Sequence, residues 1–436
     1  MSDEWMTADE AALALGVSRT TLYAYVSRGL VRSEATERAP QRRYRRREVE
    51  RLALERGRAR APAQVARGSL DWGRPILDSG VTLIEQGRLY YHGQDAVDLS
   101  RQATLEEVAA LLLGCTPDDL VAGALPRVAA PTLRTLDGLD PVAGCTAGFA
   151  WLQAQAQAPA RARAQAQAQD HAQAQAEAQA QAAHCGHLLR LMTAVVTRRA
   201  PTRDLAHQQL AQAWSLDDAA ASVVRQALVL CADHELNASG FAARCVASTG
   251  ADLGACVTAG LAALSGKRHC GVTAAIEALW QRSDAARGAN ALDRLVEASL
   301  AGIDADTAGV PGQYVPGFGH RLYPDGDPRA IALLARLPRG HRNERLLAAV
   351  QARTGQHPSI DYALVAMRRS LGLAAGDAYR VFALGRTAGW LAHAVEQGRS
   401  DTLIRPRANY VGPQPVREAA PAGSLEALPS RVIRRR

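Results

Sequence analysis

Lysine is almost absent from this chain. Of the 51 basic residues among 436, Lys267 is the single lysine and the rest are arginine. Positive charge is therefore carried by planar, permanently ionised groups. Aromatic residues make up only 5%, so the core must be built largely from Ala, Leu and Val, a composition that suits close-packed helices. No run of about 18 apolar residues occurs, which excludes a membrane-spanning helix. The seven cysteines (115, 145, 185, 231, 245, 256 and 270) include no Cys-x-x-Cys pair. That argues against a zinc site or a disulfide scaffold and for reduced thiols in the cytoplasm. Histidines at His-x-x-x-His spacing are missing, so no metal is expected. Neither a Walker-type loop nor G-x-G-x-x-G after a strand is present. The acidic, polar N-terminus does not read as a signal peptide.

What is present divides the chain. Hydrophobic residues at 47% are ample for a large core, and the length allows up to about three domains. Residues 1–60 read as a separate module. Thr7 caps a helix from Ala8 to Leu15, Gly16 ends it, and Ser18 caps a second helix from Arg19 to Arg28. Two short capped helices joined by a turn form the helix-turn-helix pattern. The run from Ala11 to Tyr25 resembles DNA-binding heads of the MerR and excisionase type. Gln41-Arg42-Arg43-Tyr44-Arg45 resembles the wing that follows, and Glu48-Val49 opens the next helix. Residues 1–68 hold 14 arginines against 9 acidic residues, a net of +5 in a chain whose net charge is +8. This basic balance points to phosphate contacts. Arg19, Thr20 and Thr21 would open the recognition helix, and Arg42, Arg43 and Tyr44 would reach DNA from the wing. The competing reading is a helical protein-docking module with a solvated basic face.

Residues 61–70 are a linker rich in Arg, Ala and Pro. From Thr82 to Gly93 apolar and polar residues alternate around a glycine turn, which predicts a hairpin. Leu105 to Leu113 is an amphipathic helix. Residues 153–183 are nearly a Gln-Ala repeat, whose period of two cannot make one apolar helix face. They read as an expanded surface insertion without catalytic content.

The richest stretch is Pro316 to Arg329. Three glycines and three prolines fix a loop, and in it lie His320 and, nine residues later, Arg329. The histidine is suited to proton exchange near neutrality, the arginine to gripping a carboxylate or phosphate. Elsewhere stand Asp233-His234-Glu235 with Asn237 and Ser239, then Ser265 to Gly271, Ser359-Ile360-Asp361, Gly385-Arg386 and Arg405-Pro406-Arg407. In this order and spacing the segments resemble the citrate synthase family, over about residues 72 to 412.

The resemblance implies an all-α body. A large domain would span 71–265 and 376–425, a small domain 266–375, and a basic tail 426–436. It also implies a homodimer, with acetyl-CoA or propionyl-CoA and oxaloacetate as substrates and no cofactor. Asp361 would be the general base, although an aspartate there could equally be a helix N-cap. His269 would donate to the thioester oxygen, kept neutral by the helix N-terminus that follows it. His320 would donate to the ketone oxygen, and His234 would hold the same substrate. Arg329 and Arg386 would clamp its carboxylates, with Arg405 coming from the second subunit. Tyr314, Val315, Gly317, Phe318 and Gly319 would cradle the CoA adenine through their backbone. The sequence departs from the family at Cys270, where its members carry glycine. The rival reading is a transcription regulator that uses the body as a metabolite sensor.

Overall fold

The computed structural model describes residues 5–15, 17, 19–27, 31–36, 39–46, 48–49, 77–156, 171–288, 290–301, 314–400, 402–408 and 410–413. The linker, the basic tail and residues 157–170 of the Gln-Ala repeat lie outside them. The chain groups into two compact units, Leu77–Ile404 and the remainder (Met1–Ile76 with Arg405–Arg436).

In the N-terminal unit, Thr7 and Glu10 cap the helix Ala8–Leu15 reciprocally. The Glu10 N–H donates to the Thr7 hydroxyl oxygen at 3.3 Å, and the Thr7 N–H donates to the Glu10 carboxylate at 2.8 Å. The second helix is Arg19–Ser27. An antiparallel pair follows, Ser33–Thr36 with Ala39–Arg45, and Trp5–Met6 adds a third strand on the other side of the latter. The wing is thus a hairpin, and residues 46 and 48–49 begin the next helix.

One of the expected DNA contacts is corrected. Tyr44 is fully buried, packed with Met6, Ala11, Ala12, Leu15, Leu22, Val31 and Val49. Successive strand residues face opposite ways, so Tyr44 faces the core while Arg43, its neighbour, is exposed. Arg19 places its fork on Asp9 of the first helix. Arg42 is exposed and donates to Ser33 Oγ at 3.1 Å. The Thr20 side chain lies outside the described set.

The body opens with the expected hairpin, Thr82–Glu85 paired to Arg88–Tyr91. Gln86 and Gly87 both take positive φ (51° and 73°), as a two-residue type I′ turn requires. Everything after Gln94–Asp95 among the described residues is helix and loop. Leu105–Leu113 is a helix over the predicted span, with a Thr104–Glu107 capping box. The repeat contributes the end of one helix, Pro141–Ala156, and the beginning of another, His171–Thr197, exposed over residues 175–181. Alanine and glutamine carry helix propensity even where no apolar face exists.

The helix Asp377–Gly398 runs through the centre and is buried on every side from Val381 to Ala394. A helix buried all round needs small residues where other backbones cross it. Cβ atoms on Gly385 and Gly389 would lie 2.6 and 2.5 Å from the carbonyl oxygens of Leu228 and Ala232. These glycines let the end of the helix Asp218–Leu230, and the turn after it, lie directly on the central helix. That turn carries His234, and the central helix carries Arg386. The expected domain limits at 265/266 and 375/376 fall at helix ends: Ser265 closes Leu253–Leu264, and Gly376 precedes the central helix.

Candidate active site

The site is assembled from four loops and one helix. The first is the turn after Leu230. Tyr91, fully buried, donates its hydroxyl to the Val229 carbonyl at 3.0 Å, and Arg386 Nε donates to the Cys231 carbonyl at 2.7 Å. His234 emerges from this turn with its Nε2 3.0 Å from the Tyr323 hydroxyl, and its ring edge meets His320 at 5.1 Å between centroids. Burial, followed by the positive charge of Arg329, holds His234 well below the ordinary histidine range.

The loop of His320 and Tyr323 is the second part. Gly317 and Gly319 have positive φ (82° and 75°). The Leu322 N–H donates to His320 Nδ1 at 3.2 Å, so the ring proton sits on Nε2. Burial and then Arg329 lower this imidazole to about 4, and it is neutral at physiological pH. Arg329 is 2% exposed and holds Asp327 with two bonds, Nε to Oδ1 at 2.9 Å and Nη2 to Oδ2 at 2.8 Å. Asp327 also caps the helix Pro328–Ala335 and accepts the Ile360 N–H at 3.0 Å.

His269 stands on the third part, a tight turn before the helix Val272–Ala285. Its Nε2 is 2.9 Å from the Ser239 hydroxyl. Burial lowers it to about 3, with Arg386 the second cause. It is neutral at physiological pH, and desolvation is the first cause.

The last loop delivers Asp361. It is not an N-cap: Ser359 takes that place, and Asp361 is the second residue of the helix Ile360–Ser370. Among the described residues its Oδ1 is buried with no hydrogen-bond partner, and burial raises its carboxyl to about 6 despite the cations of Arg329 and Arg386. Arg386, 1% exposed, lies over the Phe382 ring at 4.7 Å, and its Nη2 is likewise buried without a partner. Cys270 is fully buried. Burial first, and the Asp361 carboxylate second, push its thiol well above the ordinary range, so a neutral thiol stands beside the carboxyl.

The structure therefore brings His234, His269, His320, Arg329, Arg386 and Asp361 to one locality. Arg405 belongs to the other unit and is exposed. In the Tyr314–Gly319 loop the Val315 and Phe318 side chains are buried in the core. Three of the loop's N–H groups are already engaged: Val315 to Gln356, Phe318 to Val315 and Gly319 to His357. Those donors are not open to an adenine. Sequence reasoning assigned no role to Tyr323, Asp327 or Ser239. An Asp-Pro-Arg run at a helix start was the visible signal for Asp327.

Comparison with known proteins bears on the same residues. Residues 70–407 match the family described as citrate synthase, C-terminal domain, over more than three-quarters of the chain. The chain belongs to the citrate synthase family. Residues 5–57 match a helix-turn-helix domain. Among curated relatives of this citrate synthase family member, "Citrate synthase 2" of Bacillus subtilis is 33% identical over 198 residues, 43% of this chain and 50% of that protein. "2-Methylcitrate synthase 1" of Corynebacterium glutamicum is 32% identical over 197 residues, 43% and 49%. The chain spans about half the length of the curated relatives it matches. Of solved structures, the citrate synthase of Thermoplasma acidophilum, in ternary complex with carboxymethyl coenzyme A and oxaloacetate, aligns with TM-score 0.61 at 24% identity. The alignment covers 80% of this chain and 97% of that one. That of Thermotoga maritima aligns at 0.60 and 22%, covering 80% and 96%. These likenesses establish the all-α fold.

Proposed function

We propose that the chain condenses an acyl-CoA with oxaloacetate. Acetyl-CoA would give citrate, propionyl-CoA 2-methylcitrate, and water would release free CoA. One observation carries this reading: two neutral histidines and one carboxyl raised to about 6 converge beside two buried guanidinium groups. A thioester α-proton is a very weak acid, so its removal needs a base and a donor to the developing enolate oxygen together. Asp361, with an unpartnered buried oxygen, takes the proton. His269 donates to the enolate oxygen. This role needs the ring proton of His269 on Nδ1, with Nε2 turned to Ser239 Oγ 2.9 Å away.

The nucleophilic carbon then adds to the ketone. Negative charge moves to the ketone oxygen, where His320 donates through Nε2. His234 and Tyr323 hold the same substrate. The open Nη2 of Arg386 meets one carboxylate, and Arg329 faces the other with Asp327 fixing its fork. A second subunit would bring Arg405, and a homodimer is part of the proposal. The curated relatives carry both activities in their names, and one methylene is worth only about 1–3 kcal/mol in a pocket. Both acyl groups are therefore proposed substrates.

Thiol release from a panel of acyl-CoAs with oxaloacetate tests the reading, and no release from any of them overturns it in favour of a sensor. The pH profile sharpens the test. Asp361 must be ionised to act, so kcat should fall about tenfold per pH unit below about 6. Neither histidine gains a proton until well below that. A flat profile down to pH 5 would remove Asp361 from the role of base.

The N-terminal unit is proposed to bind DNA through its exposed arginines, Arg42 and Arg43 among them. Affinity should fall steeply with salt, and Arg43→Ala should reduce the slope of log K against log salt by about 1. Deleting residues 1–66 should leave condensation intact, since every candidate catalytic residue lies beyond residue 230. Anisotropy at several salt concentrations checks the first expectation, and binding that ignores salt overturns it. The free thiol state of all seven cysteines supports the cytoplasm as the compartment.

A further inference from the structure

We propose that His393 and Asp233 are a positioning pair that fixes His234, and through it the affinity of the site for the oxo-dicarboxylate. The inference rests on the proposed condensation. Neither residue belongs to the constellation that takes part in the chemistry.

Little holds the His234 side chain itself. Its ring is bonded to Tyr323, while its place is decided by the backbone before it. That backbone crosses the central helix along one face, at residues spaced by four: 385, 389 and 393. Gly385 admits the Leu228 carbonyl. Gly389 admits Ala232 and donates its N–H to that carbonyl at 2.9 Å. One turn further on is His393. Its Nε2 lies 3.2 Å from Asp233 Oδ2, both side chains are wholly buried, and Asp233 is the residue before His234. On its other side Nδ1 lies 3.9 Å from Glu396, a contact of charge rather than a hydrogen bond. Glu396 in turn holds Arg244 at 2.8 Å and the Gly80 N–H at 2.7 Å. His393 Cδ2 also packs at Gly240, where an added Cβ would lie 3.5 Å away, next to the Ser239 that meets His269. The pair therefore lies under the supports of both site histidines.

Charge makes the pair selective for one geometry. The groups facing it are Asp233 and Glu235 from the turn, Arg244 from the helix Ala238–Ala247 through Glu396, and Glu396 and Arg386 from the central helix. Burial opposes a charged His393, but Asp233 and Glu396 prevail and raise it to about 9. Burial opposes a charged Asp233 too, and His393 with Arg386 brings it below the usual carboxylate range. At neutral pH the pair is an imidazolium and a carboxylate. Removing one partner leaves a buried charge that can be relieved only by moving the turn. A shift there moves His234 and loosens the Cys231 carbonyl that anchors Arg386.

The test uses full-length protein with His393→Gln, Asp233→Asn and the double variant. Each single variant should raise the oxaloacetate KM by about tenfold or more, the scale of a misplaced positioning group, while the acyl-CoA KM changes little. The double variant, a neutral amide pair, should recover part of the loss. In the wild type the oxaloacetate KM should rise as pH passes about 9, and this rise should be missing from the double variant. A lower melting temperature with an unchanged oxaloacetate KM would mean a merely structural pair and overturns the proposal. Should the single variants not fold, the wild-type pH profile decides, and a flat oxaloacetate KM through pH 9 to 10 overturns it. If no acyl-CoA turns over, the condensation reading falls, and the oxaloacetate Kd by calorimetry replaces KM with the same expectations. A wild type that binds no oxaloacetate overturns both.

Discussion

Asp361→Asn lowers turnover by about 10²–10⁴, the usual worth of a positioned proton acceptor, while oxaloacetate binding changes little. The amide keeps the shape of the carboxyl and removes the base. It also removes the charge that the Cys270 thiol faces, so the local packing is undisturbed and the loss is chemical. His269→Ala should fall in the same range, because without a donor the enolate oxygen forms with no stabilising partner. The thiol-release rate at saturating concentrations of both substrates measures each. A variant at either position with near wild-type kcat removes that residue from the mechanism.

Arg386→Leu acts on a different constant. The guanidinium is buried, one of its nitrogens is spent on the Cys231 carbonyl, and another has no partner among the described residues. A substrate carboxylate meeting that nitrogen makes a desolvated, charge-assisted bond. Truncating one side of such a contact costs about 2–5 kcal/mol, at least about 30-fold in affinity. The oxaloacetate KM should rise accordingly, with any loss of kcat reporting a misplaced ketone. Circular dichroism checks that the variant keeps its helical content. An unchanged oxaloacetate KM in a folded variant places Arg386 outside the substrate site.

The sequence carried more of the site than of its supports. His234, His269, His320, Asp361 and the arginines were legible because each sits in a short run of unusual residues: a Gly-Pro loop, an Asp-His-Glu, a Gly-Arg. Their order and spacing then resembled a family. The hairpin at 82–91 and the helix at 105–113 followed from residue period and a glycine turn. Tyr44 was misread because its neighbours are arginines. A basic cluster does not show which strand face each member takes, and the burial of one tyrosine in a small core overrides the charge pattern around it. The pair of His393 and Asp233 left no sequence signal, since it joins residues 160 apart that meet only once two glycines bring the turn onto the central helix. The place of Arg329 at the candidate site was legible, but its bidentate hold on Asp327 was not.

That hold has a mechanical side. Asp327 binds Arg329 twice and also takes the first N–H of the helix that bears Asp361. Arg329 and the start of the helix that bears Asp361 are therefore tied through one carboxylate. A buried, charge-assisted double bond is far stronger than the single bond between His234 and Tyr323. A substitution at Asp327 should therefore displace Arg329 and the start of the Asp361 helix at once.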